Sequence, residues 1–78
     1  MRAKVRLITL TDVNEFVKDC IEANMEYNDK VVLTDSDNNY RTNGQSLLGA
    51  LVSLEWGDTY VEYADPRTYT KLKKFIKE

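Results

Sequence analysis

Apolar and polar residues form seven consecutive patterned segments along the chain. Four segments have the alternation or the β-branched content of strands: 4–10, 30–34, 39–42 and 58–64. Three have apolar residues at the three- and four-residue intervals of a helix: one at 12–24, one after Ser46 and one after Asp65. The predicted order β-α-β-β-α-β-α indicates an α+β fold, an open-faced β-sandwich with a four-stranded antiparallel sheet and three helices on one face.

Capping and turn residues separate these segments. Side-chain oxygens suited to cap a helix precede each helical segment: Thr11 or Asp12, then Ser46, then Asp65 followed by Pro66. Gly57 is expected to end the second helix, and the run 35–39 to form a polar hairpin loop. With 78 residues and no linker, the chain is expected to be a single domain, 1–78.

The second helix is apolar around much of its circumference. Its apolar residues are Leu47, Leu48, Ala50, Leu51, Val52 and Leu54. A domain of this size buries roughly 60 % of its unfolded surface, so one side of the helix is expected to stay at least partly exposed. The side chains left exposed would form a contact surface. The alternative is that these residues all belong to the core.

Composition and charge exclude several classes of function. The net charge of −2 argues against nucleic acid as a partner, since phosphate binding needs a clustered basic surface. No apolar run approaches the roughly 20 residues of a membrane span. The single cysteine, Cys20, permits no intrachain disulfide and fits a cytoplasmic location. The basic cluster near the C-terminus is best explained as cations in the last turn of a helix: Lys71, Lys73, Lys74 and Lys77.

The chain lacks the residue sets that catalysis or metal binding needs. It has no histidine and no cysteine pair, and the run 35–39 resembles only the start of a calcium loop. No nucleophile with a neighbouring base, no phosphate-binding loop and no dinucleotide motif is present. We therefore expect no catalytic, cofactor or metal site and no enzymatic activity.

One segment carries a resemblance to a known family. The run 43–51, NGQSLLGAL, resembles the regulatory-serine region of the phosphocarrier HPr family. Gly49 is otherwise unusual inside a helix, because it costs roughly 0.5–1 kcal/mol relative to alanine. The element order agrees with that family over nearly the whole chain, while the residue-level resemblance covers about 43–54. The resemblance implies an HPr-like fold.

The catalytic half of the family pattern is missing. Asn14 or Glu15 stands where the family has its phosphorylated histidine, and Val17 or a neighbour replaces the arginine that would steady the phosphate. Glu15 is a poor phosphate acceptor without that basic partner, and an acidic residue in the first helical turn is simply favoured by the helix dipole. The chain thus resembles the divergent, histidine-less HPr-like proteins of Gram-positive bacteria and their phages, without phosphotransfer.

The resemblance implies two candidate sites near the second helix. Ser46 matches a serine that a dedicated kinase phosphorylates, although a helix N-cap worth about 1 kcal/mol is the simpler explanation. Leu47, Leu48 and Leu51 match apolar positions that dock several partners. Trp56 is either an edge of the core or an interface anchor, since tryptophan is enriched at binding hot spots.

The favoured hypothesis is a non-catalytic, HPr-like regulatory or adaptor protein that binds a protein partner through its second helix. The resemblance implies an HPr kinase, a transcriptional regulator or a phosphotransferase-system enzyme as that partner. Two alternatives stay open: a ferredoxin-like domain that binds a small molecule, and a structural homodimer. The homodimer would use the exposed leucines, or Tyr40 and Tyr60 if these lie on the open face of the sheet.

Overall fold

The computed structural model describes residues 1–77 and has the predicted order of elements. The strands are β1 (Arg2–Val5), β2 (Val32–Asp35), β3 (Arg41–Asn43) and β4 (Thr59–Glu62). The helices are α1 (Leu10–Tyr27), α2 (Leu47–Ser53) and α3 (Pro66–Leu72). Single 3-10 turns at Leu54–Trp56 and Lys73–Phe75 extend α2 and α3. The protein is therefore an α+β domain, as the sequence predicts.

The four strands form one antiparallel sheet in the order β1-β4-β2-β3. Val61 of β4 lies between Ala3 and Leu33, and Thr42 lies beyond Leu33 on the edge strand. The central pair is β4 and β2. A ferredoxin-like sheet, which shares the β-α-β-β-α-β order, has its first and third strands in the centre, so the arrangement here differs from it.

Strand alternation gives the sheet one apolar face, on which the helices pack. The buried apolar residues form a single cluster: Val5, Val13, Phe16, Val17, Cys20, Ala23, Val31, Leu33, Ala50, Val61, Tyr63, Leu72 and Phe75. Phe16 and Phe75 meet edge to face with ring centroids 5.5 Å apart. The opposite face of the sheet is left open, and its side chains include Arg2, Tyr60 and Glu62.

The first strand and helix differ from the prediction at their junction. β1 ends at Val5 rather than 10, and α1 begins at Leu10 rather than 12. The N-cap is Thr9, not Thr11 or Asp12: Thr9 Oγ1 accepts from Asp12 N, and Asp12 Oδ2 accepts from Thr9 N, both at 3.1 Å. This reciprocal capping box starts the helix inside a stretch whose alternation alone suggests a strand.

Other boundaries move by a few residues, while the capping predictions for α2 and α3 are confirmed. α1 continues beyond 24 to Tyr27 and ends at Asn28, which adopts a left-handed conformation with φ 54°. Ser46 and Asp65 are the N-caps of α2 and α3, with Pro66 at the first position of α3. Gly57, with φ 81°, follows the 3-10 turn after α2.

The predicted basic cluster forms ion pairs with α1 as well as lying at a helix end. Lys71 is in the last turn of α3, and its Nζ lies 3.0 Å from Glu26 and 3.7 Å from Glu22. Lys74 Nζ lies 3.2 Å from Glu15 Oε2. Lys71 and Lys74 therefore form ion pairs with α1 in addition to lying near a helix end.

Candidate functional site

Helix α2 buries a narrow stripe and exposes much of the rest of its circumference. Its buried residues are Ala50 and Ser53. Leu48 is 73 % exposed, and Leu47, Val52 and Leu54 are exposed as well. A helix of a small domain ordinarily turns its apolar side chains inward, so the apolar outer side of α2 is a candidate contact surface.

Glycine lets α2 approach the edge strand closely. A Cβ at Gly49 would lie 2.9 Å from the carbonyl oxygen of Asn43 and 3.2 Å from Thr42 Cβ. Thr42 Oγ1 donates a hydrogen bond to the Gly49 carbonyl at 3.1 Å. Close packing of α2 on β3 thus explains this helical glycine, which sequence alone leaves unexplained except through the family resemblance.

Buried hydroxyl groups fix the inner side of α2. Ser53 Oγ donates to the Ala50 carbonyl at 2.6 Å, and Thr59 Oγ1 of β4 donates to the Ser53 carbonyl at 3.0 Å. These bonds satisfy carbonyl groups near the end of the helix that would otherwise lack partners. The exposed side of α2 is therefore presented from a rigid support.

An aromatic pair borders α2 on the side of the β2–β3 hairpin. The rings of Tyr40 and Trp56 stack with centroids 6.2 Å apart and planes inclined by 21°. Tyr40 is 63 % exposed, whereas Trp56 is half-buried and packs against the core. Tyr60, in contrast, is on the open face of the sheet, where the Arg2 guanidinium lies 4.1 Å from its ring centroid. The two tyrosines thus lie on opposite faces.

We name the exposed apolar side of α2 and its aromatic neighbours the α2 surface. It consists of Leu47, Leu48, Val52, Leu54, Tyr40 and Trp56. Among the residues predicted to bind a partner, Leu47 and Leu48 are exposed, while Leu51 and Trp56 are half-buried against the core.

Three members of the α2 surface were absent from the predicted site. Val52 follows Leu48 by four residues, and this helical spacing is the signal that could have included it. Leu54 follows Ala50 by four residues, yet Ala50 is buried and Leu54 is exposed, so helical spacing alone does not indicate it. No local pattern indicates Tyr40, because its stack with Trp56 joins segments distant in sequence.

Ser46 is the N-cap of α2 and is partly exposed. Its Oγ accepts from Gly49 N at 3.2 Å, and its own N–H donates to the Asn43 carbonyl at 3.1 Å. The capping role that the sequence predicts for Ser46 is therefore present. Its phosphorylation stays a prediction.

The start of α1 is built from capping and ion-pair contacts. Backbone N–H groups of Ile8 and Thr9 donate to the Asp12 carboxylate and hold its pKa below the usual range. Asn14 is exposed. Glu15 pairs with Lys74, whose Nζ lies 3.2 Å from Glu15 Oε2, a cation that sequence alone does not place there. Asp12 therefore caps the start of α1, and Glu15 joins α1 to the C-terminal segment through its ion pair with Lys74.

The single cysteine is buried, and Asp35 of the polar turn is hydrogen-bonded. Burial raises the pKa of the Cys20 thiol far above its usual range, which makes a thiolate nucleophile inaccessible near neutral pH. Asp35 Oδ1 accepts from Asn39 N at 2.7 Å and Tyr40 N at 3.0 Å, closing the predicted polar turn. Among residues 1–77, no three His, Cys, Asp or Glu side chains are grouped to hold a metal ion.

Comparison with known proteins leaves the surface itself as the guide to function. No family model, curated protein or solved structure matches this chain. In the described part of the chain, no helix has the length and apolar character to cross a membrane. The α2 surface is the feature from which function is argued.

Proposed function

We propose that this chain is a non-catalytic, HPr-like regulatory or adaptor protein that binds a protein partner through α2, without phosphotransfer through histidine. The observation that carries the proposal is the burial pattern of α2, which covers Ala50 and Ser53 and leaves Leu48 and its apolar neighbours in contact with water. Contiguous exposed apolar side chains on a small domain are typical of interaction sites.

The chemistry and rigidity of the α2 surface both favour a protein as the ligand. Tyrosine and tryptophan, here the stacked pair Tyr40 and Trp56, are enriched among interface residues that dominate binding energy. The contacts of Gly49 with Thr42 and of Ser53 with Thr59 hold the helix in place before binding. A preorganised surface loses less conformational freedom on association, which improves affinity.

The family resemblance suggests the class of partner. The segment 43–51 resembles the part of HPr that docks a kinase, a transcriptional regulator and phosphotransferase-system enzymes. Such proteins, in the cytoplasm of a bacterium or of a phage-infected bacterium, are the first candidates. Gly49 contributes little to this part of the proposal, because the close approach of α2 to β3 requires glycine in any case.

Partner capture with surface variants tests the proposal. The wild-type chain, Leu48→Asp and the control Met25→Asp are immobilised in parallel and exposed to lysate of the organism that encodes the chain. Met25 is a matched control, since it is an apolar residue of α1 that is 79 % exposed. We expect a specific partner to be lost with Leu48→Asp and retained with Met25→Asp. Capture of the same proteins by all three would refute a role for α2.

Phosphorylation of Ser46 is tested separately by intact-mass spectrometry. The chain and its Ser46→Ala variant are incubated with ATP and an HPr kinase. A single added phosphate in the wild-type chain and none in Ser46→Ala would place it in carbon-catabolite signalling as a serine-only analogue of HPr. An unchanged mass in both would leave Ser46 as a helix cap and direct the search to partners of the unmodified surface.

A further inference from the structure

A cleft with an excess of positive charge lies between β1, the C-terminal segment and the turn that follows α2. Of the described residues, three cations line it, Lys4, Arg6 and Lys77, together with one carboxylate, Asp58. Three positive charges against one negative charge leave the lining with a net charge of +2, whereas the whole chain carries −2. The cleft volume of about 300 Å³ is at the lower end of the range for small-molecule sites.

Backbone hydrogen bonds between β1 and the C-terminal segment bring these cations together. Arg6 N donates to the Phe75 carbonyl, and Lys77 N donates to the Lys4 carbonyl, both at 2.8 Å. Lys77 is therefore held beside Lys4 and Arg6, although more than seventy residues separate it from them along the chain. No local sequence pattern indicates this grouping, because it depends on how the end of the chain pairs with its first strand.

Two of the three cations are left without a partner by the fold. Within residues 1–77, the side chains of Arg6 and Lys77 form no ion pair and no cation–π contact. The other three arginines each pair with a carboxylate. Lys4 pairs with Asp58 at 3.1 Å. The charges of Arg6 and Lys77 are therefore available to a ligand.

The nearest other carboxylates line an adjoining cleft. Arg6 and Lys77 border that cleft as well, with Asp12, Glu15 and Lys74. Asp12 accepts two backbone N–H groups, and Glu15 pairs with Lys74. Neither carboxylate forms an ion pair with Arg6 or Lys77. Counted over both clefts, four cations face three carboxylates, so the excess charge remains positive.

Apolar side chains and free backbone N–H groups complete the lining. Leu7 is half-buried and Leu54 is exposed, and both line the cleft. Gly57 and Asp58 also line it, and their backbone N–H groups donate to no acceptor in the described part of the chain. A Cβ at Gly57 would meet no atom within 4 Å, so open space adjoins this backbone. The cleft thus combines cations and N–H donors with a small apolar wall.

We propose that this cleft binds a small phosphate monoester, with its phosphate group on Arg6 and Lys77 and its organic part against Leu7 and Leu54. A phosphate monoester carries about 1.5 to 2 negative charges at pH 7, which matches the charge of the lining better than the single charge of a carboxylate does. A guanidinium group presents paired donors that fit phosphate oxygens. The inference goes beyond the proposed function, since the ligand is a small molecule and not the protein docked on α2.

Titration of three small anions into the isotope-labelled chain tests the site. Phenyl phosphate, inorganic phosphate and benzoate are added separately at constant ionic strength, and backbone amide signals are followed by NMR. We expect phenyl phosphate to bind saturably and to shift the signals of 4–7, 54–59 and 77. Inorganic phosphate lacks an apolar part and benzoate carries only one charge, so each should bind more weakly at the same residues.

Single substitutions separate the cleft from overall charge. Arg6→Gln and Lys77→Gln should each weaken binding of phenyl phosphate roughly threefold to fivefold, as expected for loss of an exposed ion pair. Lys18→Gln is the matched control, because Lys18 is exposed on α1 and its replacement changes the net charge by the same amount. This control should leave binding unchanged. Circular dichroism checks that all three variants are folded.

Several outcomes would overturn the inference. It fails if phenyl phosphate produces no saturable shift around the cleft, if benzoate binds as tightly, or if Lys18→Gln weakens binding as much as Arg6→Gln does. Inorganic phosphate binding as tightly as phenyl phosphate would refute the apolar contact and, with it, an ester as the ligand. These measurements involve no protein partner, so their failure is distinct from failure of the proposed function, which the capture experiment with Leu48→Asp decides.

Discussion

At the residue scale, the buried carboxylate of Asp29 joins the end of α1 to the start of α3. Its carboxylate accepts from Thr68 Oγ1 at 2.6 Å, from Asp65 N at 2.9 Å and from Ala64 N at 3.0 Å. Asp29 directly follows the end of α1, and its three partners lie at the start of α3. This one side chain therefore joins two elements that the sequence separates by more than thirty residues.

Asp29→Asn should destabilise the fold substantially. The amide nitrogen of asparagine would face N–H donors and leave at least one buried group unsatisfied, which costs about 1–3 kcal/mol. Urea denaturation measures the loss as a lower transition midpoint. Asp37→Asn, an exposed aspartate of the hairpin turn, is the control and should change stability by less than about 0.5 kcal/mol. Equal effects of the two substitutions would contradict this assignment.

Stability should decline at acid pH because of the same carboxylate. Burial alone would raise the pKa of Asp29, but the hydrogen bonds from Thr68, Ala64 and Asp65 outweigh it and hold the pKa below its usual range. A carboxyl group with a lowered folded pKa contributes stability that is complete above its unfolded pKa of about 3.9 and is lost as pH falls through the folded value.

The free energy of unfolding is therefore expected to be nearly constant between about pH 5 and 7 and to fall below about pH 4. The pKa of Asp65, lowered by its hydrogen bonds with Arg67, acts in the same direction, whereas the pKa of Asp19, raised by burial, acts against it. Urea midpoints measured across this range test the expectation. A decline of the same size in Asp29→Asn would show that Asp29 is not responsible.

At the scale of elements, α2 is defined by its close approach to β3. Gly49→Ala should destabilise the domain, although alanine favours a helix by up to about 1 kcal/mol. The added Cβ would lie 2.9 Å from the Asn43 carbonyl oxygen, and that backbone cannot move without disturbing the edge strand. We expect a net loss of about 1–2 kcal/mol in thermal or urea denaturation.

Leu48→Ala on the exposed side of the same helix is the matched control for Gly49→Ala and should be nearly neutral. A stabilising effect of Gly49→Ala would mean that α2 and β3 are farther apart than the structure has them.

The N-cap of α2 gives a second test at this scale. Ser46→Ala removes the acceptor for Gly49 N and should cost about 1 kcal/mol. Ser46→Asp keeps a capping oxygen and should retain most of the stability. Chemical denaturation of the three proteins checks the order of stability. If Ser46→Ala were as stable as the wild type, the Ser46 hydroxyl would not stabilise α2 as an N-cap.

Sequence patterns predicted which elements exist better than where they end. The period-2 alternation predicts a strand over 4–10, but β1 ends at Val5. Thr9 and Asp12 form a capping box that starts α1 inside the alternating stretch. Ser46 and Asp65 were correctly predicted as N-caps because capping depends on the chemistry of a single side chain, whereas Gly57 ends the 3-10 turn that follows α2 and not α2 itself. The boundary of a strand depends on where its partner strands stop, which no local pattern records.

At the scale of the whole molecule, the two faces of the sheet have different character. One carries the helices and the core, and the other carries a charged network in which Arg2 and Arg41 share Glu62. The excess of apolar residues in α2 was evident in the sequence. Tertiary packing decides which of these residues are exposed, and it brings Tyr40 beside them through Trp56. Neither result could be predicted from residue spacing.

The central claim is that the outer side of α2 docks a protein partner. The most direct measurement places the photo-crosslinking amino acid benzoylphenylalanine at position 48 or, as a control, at position 25, and identifies cross-linked products by mass spectrometry after irradiation in cells of the encoding organism. We predict a discrete cross-link to one partner protein from position 48 and none to that protein from position 25. Identical products from both positions, or cross-links only between copies of this chain, would contradict the claim.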